Sequence, residues 1–247
     1  MNYLNQIIRV LESNNIPEKK DNTLYITDDP SISIMLHENG YPVVGWNHPE
    51  TNTIQVSWSD YPEIKYILED IDDIDDEDYE RIYRRLKKLP CDILETEHLL
   101  LRETTVSDVD TLINLYSDPI ITKYMENLFP LEEEKKYQQN YIDYVYSFYD
   151  IGIWSIIRKE DNALIGRMGI EIKDDSDSVE LGFMLGTNYQ HNGYATEAGL
   201  AIIEYAKELH YIRAIKAHVH PENNASKLLC LRLGMQQIDE NTWIIRL

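Results

Sequence analysis

The sequence is poor in cysteine and in long apolar runs. It has 247 residues and two cysteines, Cys91 and Cys230, and two cysteines so far apart do not make a disulfide framework. No stretch approaches the ~20 apolar residues that a membrane-spanning helix needs. The first ten residues lack the charged start and apolar run of a secretory signal. We therefore expect a reducing, cytoplasmic setting and no membrane partner.

Positive charge is also scarce, with 23 Lys and Arg against 44 Asp and Glu, a net charge of -21. Residues 1–95 hold 20 acids and 9 bases, a net of -11, which leaves 24 acids and 14 bases, a net of -10, for the remainder. Such a surface repels phosphate backbones and argues against a nucleic-acid partner. It favours a cationic partner such as an amine or polyamine, although acidity also simply aids solubility.

The first 90 or so residues predict a mixture of helices and strands. Apolar spacing predicts a helix over residues 3–13, strands at 32–36 and 54–58, and a helix over 62–68 with Pro62 in its first turn. These elements indicate a small α+β domain, for which the sequence suggests no role.

Nine of the twelve residues from 69 to 80 are acidic. Clustered carboxylates bind hard cations, but this segment lacks the glycine and ligand spacing of a calcium loop, so we interpret it as a solvated acidic segment. A helix is predicted over 76–89, because its acids precede its bases as the helix dipole prefers, and Pro90 ends it. We place the domain boundary between Leu89 and Glu97, with domains at 1–92 and 93–247.

The second half alternates more regularly, in the order β-α-α-β-β-β-α-β-α-β-β. Ser107 is a candidate cap for the first helix. Aromatic residues recur at helical spacing on the second helix, as either the wall of a pocket or a face that packs on a sheet. The predicted strands are 98–103, 152–158, 164–173, 179–185, 213–220, 235–238 and 242–246, the helices are 107–116, 132–148, 196–209 and 224–233, and the aromatics are Tyr137, Tyr141, Tyr144 and Phe148.

The loop before the third of these helices carries the strongest functional signal. Its sequence is Gln190-His191-Asn192-Gly193-Tyr194-Ala195. A phosphate at a helix N-terminus meets free N–H groups and the positive end of the dipole. Gly193 lets the backbone approach a ligand because it has no Cβ. One glycine in a strand-to-helix turn is, however, weak evidence by itself.

The pattern Gln190-x-x-Gly193-x-Ala195 is similar to the pyrophosphate-binding signature of the GNAT superfamily of N-acetyltransferases. Segments 179–185, 220–226 and 233–235 resemble the ribosomal-protein N-terminal acetyltransferase branch in the same order, although that branch usually has an aromatic residue where Met235 stands. The resemblance covers residues 96–247 and does not reach the first 90. It implies an α+β fold with a mixed, mainly antiparallel central sheet flanked by helices, preceded by the small α+β domain.

The same resemblance implies an enzyme that transfers an acetyl group from acetyl-CoA to a primary amine by direct attack in a ternary complex. No metal is expected, since His218 and His220 have no third ligand near in sequence. The residues expected to bind acetyl-CoA are Met184, Leu185, Gln190, Asn192, Gly193, Tyr194, Ala195, Thr196 and Asn223.

Two residues are candidates for catalysis. Glu180 starts the strand before the loop and is a candidate base, with a substrate-orienting acid or a cross-strand partner as alternatives. Ser226, in the Asn223-x-x-Ser226 element, is a candidate proton donor to the leaving thiolate. Asn223 or Asn224 would equally well cap the helix that follows.

Two functions fit this sequence. The first is an acetyltransferase whose acceptor is a protein or peptide N-terminus or a small cationic amine. The second is a non-catalytic acyl-CoA-binding module whose N-terminal domain recognises a partner protein. The oligomeric state is open, and a homodimer is one alternative.

Overall fold

The computed structural model describes residues 3–10, 17–47, 57–125, 127–173 and 177–247. The chain divides into two compact units, Met1–Cys91 and Asp92–Leu247. Each unit has its own sheet and its own buried core.

The first unit is built on a parallel sheet of four strands in the order β1-β2-β3-β4. Every residue of β2 and β3 is buried, because a helix packs on each face. Leu24 and Ile26 of β2 pack with Tyr79 and Tyr83 of α2, whereas Tyr25 packs with α1. The elements are β1 (Gln6–Arg9), β2 (Thr23–Thr27), α1 (Pro30–Glu38), β3 (Val43–Trp46), β4 (Ile67–Leu68) and α2 (Asp76–Leu86).

Three predictions for this unit are wrong. Residues 6–9 form a strand instead of a helix, because β2 offers them a hydrogen-bonding partner. Residues 30–38 form a helix instead of a strand. The Asp29 carboxylate accepts from the N–H groups of Ser31 and Ile32 at 2.7 and 3.3 Å, which caps that helix. The predicted helix at 62–68 is a turn that runs into β4.

Of the other predictions for the first unit, one is confirmed and one lies partly outside the described residues. The helix over 76–89 is confirmed as α2, which has three acids in its first turn and ends at Leu86. In the predicted strand at 54–58, residues 54–56 lie outside the described residues, and Trp58–Asp60 form a short 3-10 helix.

The second unit has an eight-stranded sheet in the order β11-β12-β10-β9-β8-β7-β6-β5. All neighbouring strands are antiparallel except β9 and β10, which are parallel. The strands are β5 (Asp92–Glu95), β6 (Leu99–Arg102), β7 (Ile153–Arg158), β8 (Ala163–Glu171), β9 (Ser178–Leu185), β10 (Ala214–His218), β11 (Gln236–Gln237) and β12 (Thr242–Arg246).

Helices cover this sheet, and the main core lies under α7 and α8. There Leu181 and Ile215 of the sheet pack with Ile202 and Cys230. A smaller cluster joins Met184 of β9 to α3 and α4. The helices are α3 (Val109–Tyr116), α4 (Pro119–Thr122), α5 (Leu131–Asn140), α6 (Ser147–Tyr149), α7 (Tyr194–Glu208) and α8 (Asn224–Arg232), and a π-helical turn (Tyr141–Tyr146) joins α5 to α6.

The predicted order of elements in this unit is confirmed, with two additions and one correction. The sequence reasoning missed β5, a partly exposed edge strand, and the single turn α4. Ser107 is not the helix cap. Thr105 and Asp108 instead form a capping box at the start of this segment.

Candidate active site

Strands β9 and β10 separate in the middle of the second sheet. They pair only over residues 178–180 and 214–216, whereas β9 continues along β8 as far as Leu185. Within the described residues, the stretch 181–185 therefore has a strand neighbour on one side only. Main-chain groups on its other side are available to an added extended chain.

The same strand leads into the N-terminus of α7. No described residue accepts a hydrogen bond from the main-chain N–H groups of residues 191–195. Thr196 and Glu197 both donate to the Gly193 carbonyl at 3.0 Å. Free N–H groups at the positive end of a 15-residue helix form a binding site for an anion.

Gly193 is the N-cap of α7, with φ at 87°, a conformation that glycine adopts readily and other residues rarely do. A Cβ built at Gly193 would meet nothing within 4 Å. The loop is therefore open at the point where the sequence predicts that the cofactor approaches.

The side chains of Gln190 and Asn192 bind the loop itself. The Gln190 amide donates to the Leu185 carbonyl at 2.9 Å, and the Asn192 amide donates to the Gln190 carbonyl at 3.0 Å. These bonds fix the shape of the loop, and its main-chain N–H groups are left to meet a ligand.

Glu197 anchors the first turn of α7 to the turn that joins β5 to β6. Its carboxylate accepts from the Thr96 hydroxyl at 2.6 Å and from the His98 N–H at 2.9 Å. Burial alone would raise the pKa of Glu197, but these hydrogen bonds outweigh it and the pKa is lowered. The charged carboxylate thus holds Tyr194, Ala195 and Thr196 in place.

Glu180 lies where β9 and β10 part, opposite Lys216 on β10 and Glu171 on β8. It lines an open cleft together with Lys173, Lys216 and His218. The structure thus places the candidate base at the mouth of the opening between the strands.

Ser226 and Asn223 lie at the start of α8. The Asn223 side chain accepts from the Ser226 N–H at 3.1 Å, so Asn223 is a helix cap. Its amide N–H₂ and the Ser226 hydroxyl have no hydrogen-bond partner among the described residues. Met184 and Leu185 are buried and lie on the one-sided stretch of β9.

A second cavity, open to solvent on one side, was not predicted from the sequence. Arg167 and Glu171 of β8 line it together with Tyr141 and Gly182. A signal was present in the sequence, because Arg167, Gly169 and Glu171 alternate with the buried apolar residues of a long strand. Tyr137 and Tyr141, predicted as either pocket wall or packing face, both line this cavity.

Charges in this cavity are arranged in two groups. At one end, the Tyr141 hydroxyl donates to Glu171 at 2.6 Å and the Lys173 ammonium lies 2.7 Å from the same carboxylate. Burial, together with Glu171, raises the pKa of Tyr141, so Tyr141 is a neutral donor. At the other end, the Arg167 Nε donates to the Tyr116 hydroxyl at 2.9 Å.

Comparison with known proteins decides the family. Residues 98–236, more than half of the chain, match the acetyltransferase (GNAT) domain. This chain belongs to the GNAT acetyltransferase family. As a GNAT protein with a mainly antiparallel sheet and flanking helices, it is an N-acetyltransferase of α+β fold.

Individual relatives of this GNAT protein agree. It is 33% identical over 153 residues to the uncharacterized N-acetyltransferase p20 of Bacillus licheniformis. The alignment covers 59% of this chain and 83% of that protein. The structure of the ribosomal L7/L12 α-N-protein acetyltransferase RimL matches with a TM-score of 0.56 at 16% identity, over 64% of this chain and 96% of that chain. The microcin C7 self-immunity acetyltransferase MccE, solved with acetyl-CoA and AMP, matches with a TM-score of 0.52 at 16% identity, over 62% of this chain and 94% of that chain. At these identities the two structures show the fold alone.

Among the described residues, no helix of this GNAT protein is long and apolar enough to cross a membrane. The same part of the chain holds no group of three or more His, Cys, Asp or Glu residues arranged to bind a metal ion.

Proposed function

We propose that this protein transfers the acetyl group of acetyl-CoA to a primary amine by direct attack in a ternary complex. One observation carries the proposal: the one-sided edge of β9 is followed, after the loop 186–193, by a helix N-terminus whose N–H groups have no acceptor among the described residues. An extended arm ending in a diphosphate fits that combination, because the edge binds the arm and the helix binds the anion.

The residues that would hold acetyl-CoA follow from this fit. The main chain of Met184 and Leu185 would bind the pantetheine arm, and the N–H groups of residues 191–195 would bind the diphosphate. Gln190 and Asn192 would keep the loop in shape, and the side-chain amide of Asn223 would meet the arm from the other side of the opening. When bound, acetyl-CoA supplies an acyl group activated as a thioester.

Glu180 would accept the proton that an ammonium acceptor must lose before it attacks. Its place at the parting of β9 and β10 supports this role, either directly or through a water molecule. Ser226, whose hydroxyl has no protein partner in the described residues, would donate a proton to the departing thiolate.

A thiol-release assay tests the proposal, with acetyl-CoA and a panel of peptide N-termini, amino acids, polyamines and other small amines. We expect release of CoA thiol with at least one acceptor and micromolar binding of acetyl-CoA by calorimetry. Binding without release for every acceptor would favour the alternative, an acyl-CoA-binding module without catalysis. Absence of binding would contradict both functions.

A further inference from the structure

The cavity beside β8 contains the guanidinium of Arg167, and only some of its N–H groups donate hydrogen bonds. The Nε atom of Arg167 donates to Tyr116, and its guanidinium lies 4.9 Å from the centre of the Tyr116 ring. Among the described residues, neither of its two terminal nitrogens donates a hydrogen bond, and no carboxylate lies within the 4.0 Å of an ion pair. Removing such a cation from water costs free energy unless an anion compensates it.

The protein compensates this charge only in part. The pKa of Arg167 would fall through burial, but nearby Tyr116 and Glu134 outweigh this and the pKa is raised. Glu134 is buried, and its carboxylate accepts from the Phe129 N–H at 3.1 Å. It makes no ion pair with Arg167, whose terminal N–H groups remain available to a ligand.

The carboxylate in the same cavity is, in contrast, already engaged. One oxygen of Glu171 accepts from the Tyr141 hydroxyl, and the other faces the Lys173 ammonium. A cationic acceptor entering this cavity would therefore meet an unpaired guanidinium and a carboxylate that is already paired. An acceptor with its own anionic group would meet the complementary charge.

We propose that Arg167 binds an anionic group, a carboxylate or a phosphate, on the amine that this enzyme acetylates. The inference rests on the proposed function and narrows its acceptor class. A guanidinium presents parallel donors that match both groups. Tyr116, Tyr137 and Phe183 also line the cavity and would pack against the rest of the acceptor. An amino acid or an aminoalkyl phosphate has the required combination of amine and anion.

The diphosphate of acetyl-CoA is not the anion in question. Arg167 pairs with Met184 across β8 and β9, whereas the proposed diphosphate site begins beyond the end of β9, at residues 191–195. Arg167 should therefore affect the acceptor and leave the affinity for acetyl-CoA unchanged, which separates this inference from the function on which it rests.

Matched acceptors test the inference on the unmodified enzyme. Phenylalanine is compared with phenylalaninamide, and phosphoethanolamine with ethanolamine, by initial rates of thiol release. We expect kcat/KM to favour the anionic member of at least one pair by about 10-fold or more, and the better pair tells carboxylate from phosphate. Equal or better turnover of both neutral members would overturn the inference while leaving the proposed function intact.

Variants then assign the preference to one side chain. Arg167→Gln should raise KM for the anionic acceptor by about 10- to 100-fold, the usual range for a lost charged hydrogen bond, and should leave the amide unaffected. Arg167→Lys keeps the charge but loses the parallel N–H donors of the guanidinium, so it should lose part of the preference for the anionic acceptor. Lys207→Gln removes the same charge from the exposed face of α7 and should behave as wild type.

Binding provides a readout that does not depend on turnover. In the presence of CoA, the N-acetylated form of the better anionic acceptor, N-acetylphenylalanine or N-acetylphosphoethanolamine, should bind the wild type more tightly than its neutral counterpart does, and Arg167→Gln should abolish the difference. Calorimetry with acetyl-CoA checks that each variant is folded, and if Arg167→Gln fails this check, Arg167→Lys takes its place. Equal affinity of the wild type for the anionic and the neutral product of that pair would also contradict the inference.

Discussion

At the scale of single residues, Gly193 combines a positive φ angle with open space beside the helix N-terminus. Neither property alone implies a ligand, since glycines also end helices where nothing binds. Together with unpaired N–H groups, they leave room for an anion to approach the backbone. Gly234 has a similar φ of 77° but lies after α8, away from the loop. The same substitution at both glycines therefore distinguishes the effect of backbone strain from the effect of blocking the binding site.

Gly193→Val should abolish detectable binding of acetyl-CoA. Its side chain would occupy the space in front of the N–H groups, and a β-branched residue at positive φ is strained by about 1–3 kcal/mol. Gly234→Val carries the same strain and should keep its affinity while it loses a similar amount of stability. Calorimetry and thermal unfolding of both variants measure the difference, and undiminished affinity in Gly193→Val would refute the loop assignment.

Glu180→Gln should lower kcat by about 100-fold or more, because a positioned base typically contributes 10²–10⁴. Acetyl-CoA affinity should not change. The measurement is the pH profile of kcat/KM for the variant and for the wild type. Glu204→Gln, which changes an exposed residue of α7, is the charge-matched control. Wild-type turnover across the pH range would exclude Glu180 as the base.

At the scale of secondary-structure elements, the sequence predicted the second unit far better than the first. The longer elements of the second unit have strong apolar periodicity and clear turns, as at β9 and α7. In the first unit, Ile32 and Leu36 fit a strand as well as a helix, because positions four apart share a face in both. The Asp29 cap and Pro30 decide for the helix. Residues 6–9 became a strand because a parallel neighbour was available, which no local pattern reveals.

The features of the candidate site also differ in how far the sequence predicts them. The start of α7 at Gly193 could be predicted, because a turn from strand to helix is encoded by a short local motif. That this loop binds a diphosphate stays a prediction. The sequence indicates the polar face of β8 that carries Arg167 but does not indicate the cavity, since the other walls come from α3, α5 and β9, which are distant in sequence. Asn223 shows a third case, in which one motif predicted both a ligand contact and a helix cap, and the structure displays the cap.

One ion pair joins β6 to the start of α3. Arg102 donates to Asp108 at 2.6 and 2.8 Å, and the two side chains are 19% and 10% exposed. Burial alone would raise the pKa of Asp108, but the hydrogen bonds from Arg102 and from the Thr105 N–H hold it below its ordinary value. The charged carboxylate thus stabilises the folded state above the pKa that it has in the unfolded chain.

Asp108→Asn should destabilise the protein by about 3 kcal/mol at neutral pH, since it leaves a largely buried guanidinium unpaired. The difference from wild type should shrink as the pH falls below about 4, because there Asp108 of the unfolded chain takes up a proton that the folded carboxylate, with its lowered pKa, resists. Urea unfolding of both proteins between pH 3 and 7 measures this. The control is Asp161→Asn at the exposed pair with Arg158, which should show little change at any pH.

At the scale of the whole molecule, the match to the GNAT domain lies within the second unit, at residues 98–236. The second unit contains the complete candidate site and a core that joins its sheet to α7 and α8. Both units share the acidity, so an anionic acceptor would approach against a net charge of -21. Local compensation at Arg167 would have to outweigh that long-range repulsion.

A fragment that begins at Asp92 should fold cooperatively and bind acetyl-CoA with nearly the affinity of the full chain. The reason is that β5 already belongs to the sheet of the second unit, whereas α2 belongs to the core of the first. Thermal unfolding followed by calorimetry tests this. A fragment that unfolds, or that loses its affinity, would show that the first unit supports the site.

The facing glycines of β8 and β9 have a consequence for how this enzyme could diversify. Gly169 is opposite Gly182, but an added Cβ would collide with the Gly152 carbonyl oxygen at 1.9 Å in the first case and only with the tip of the Ile153 side chain at 2.9 Å in the second. The first position is closed to change, whereas the second can accept a methyl group if one side chain turns. Selection for smaller substrates would therefore act first at Gly182, where substitution by alanine would narrow the cavity without disturbing the backbone of the sheet.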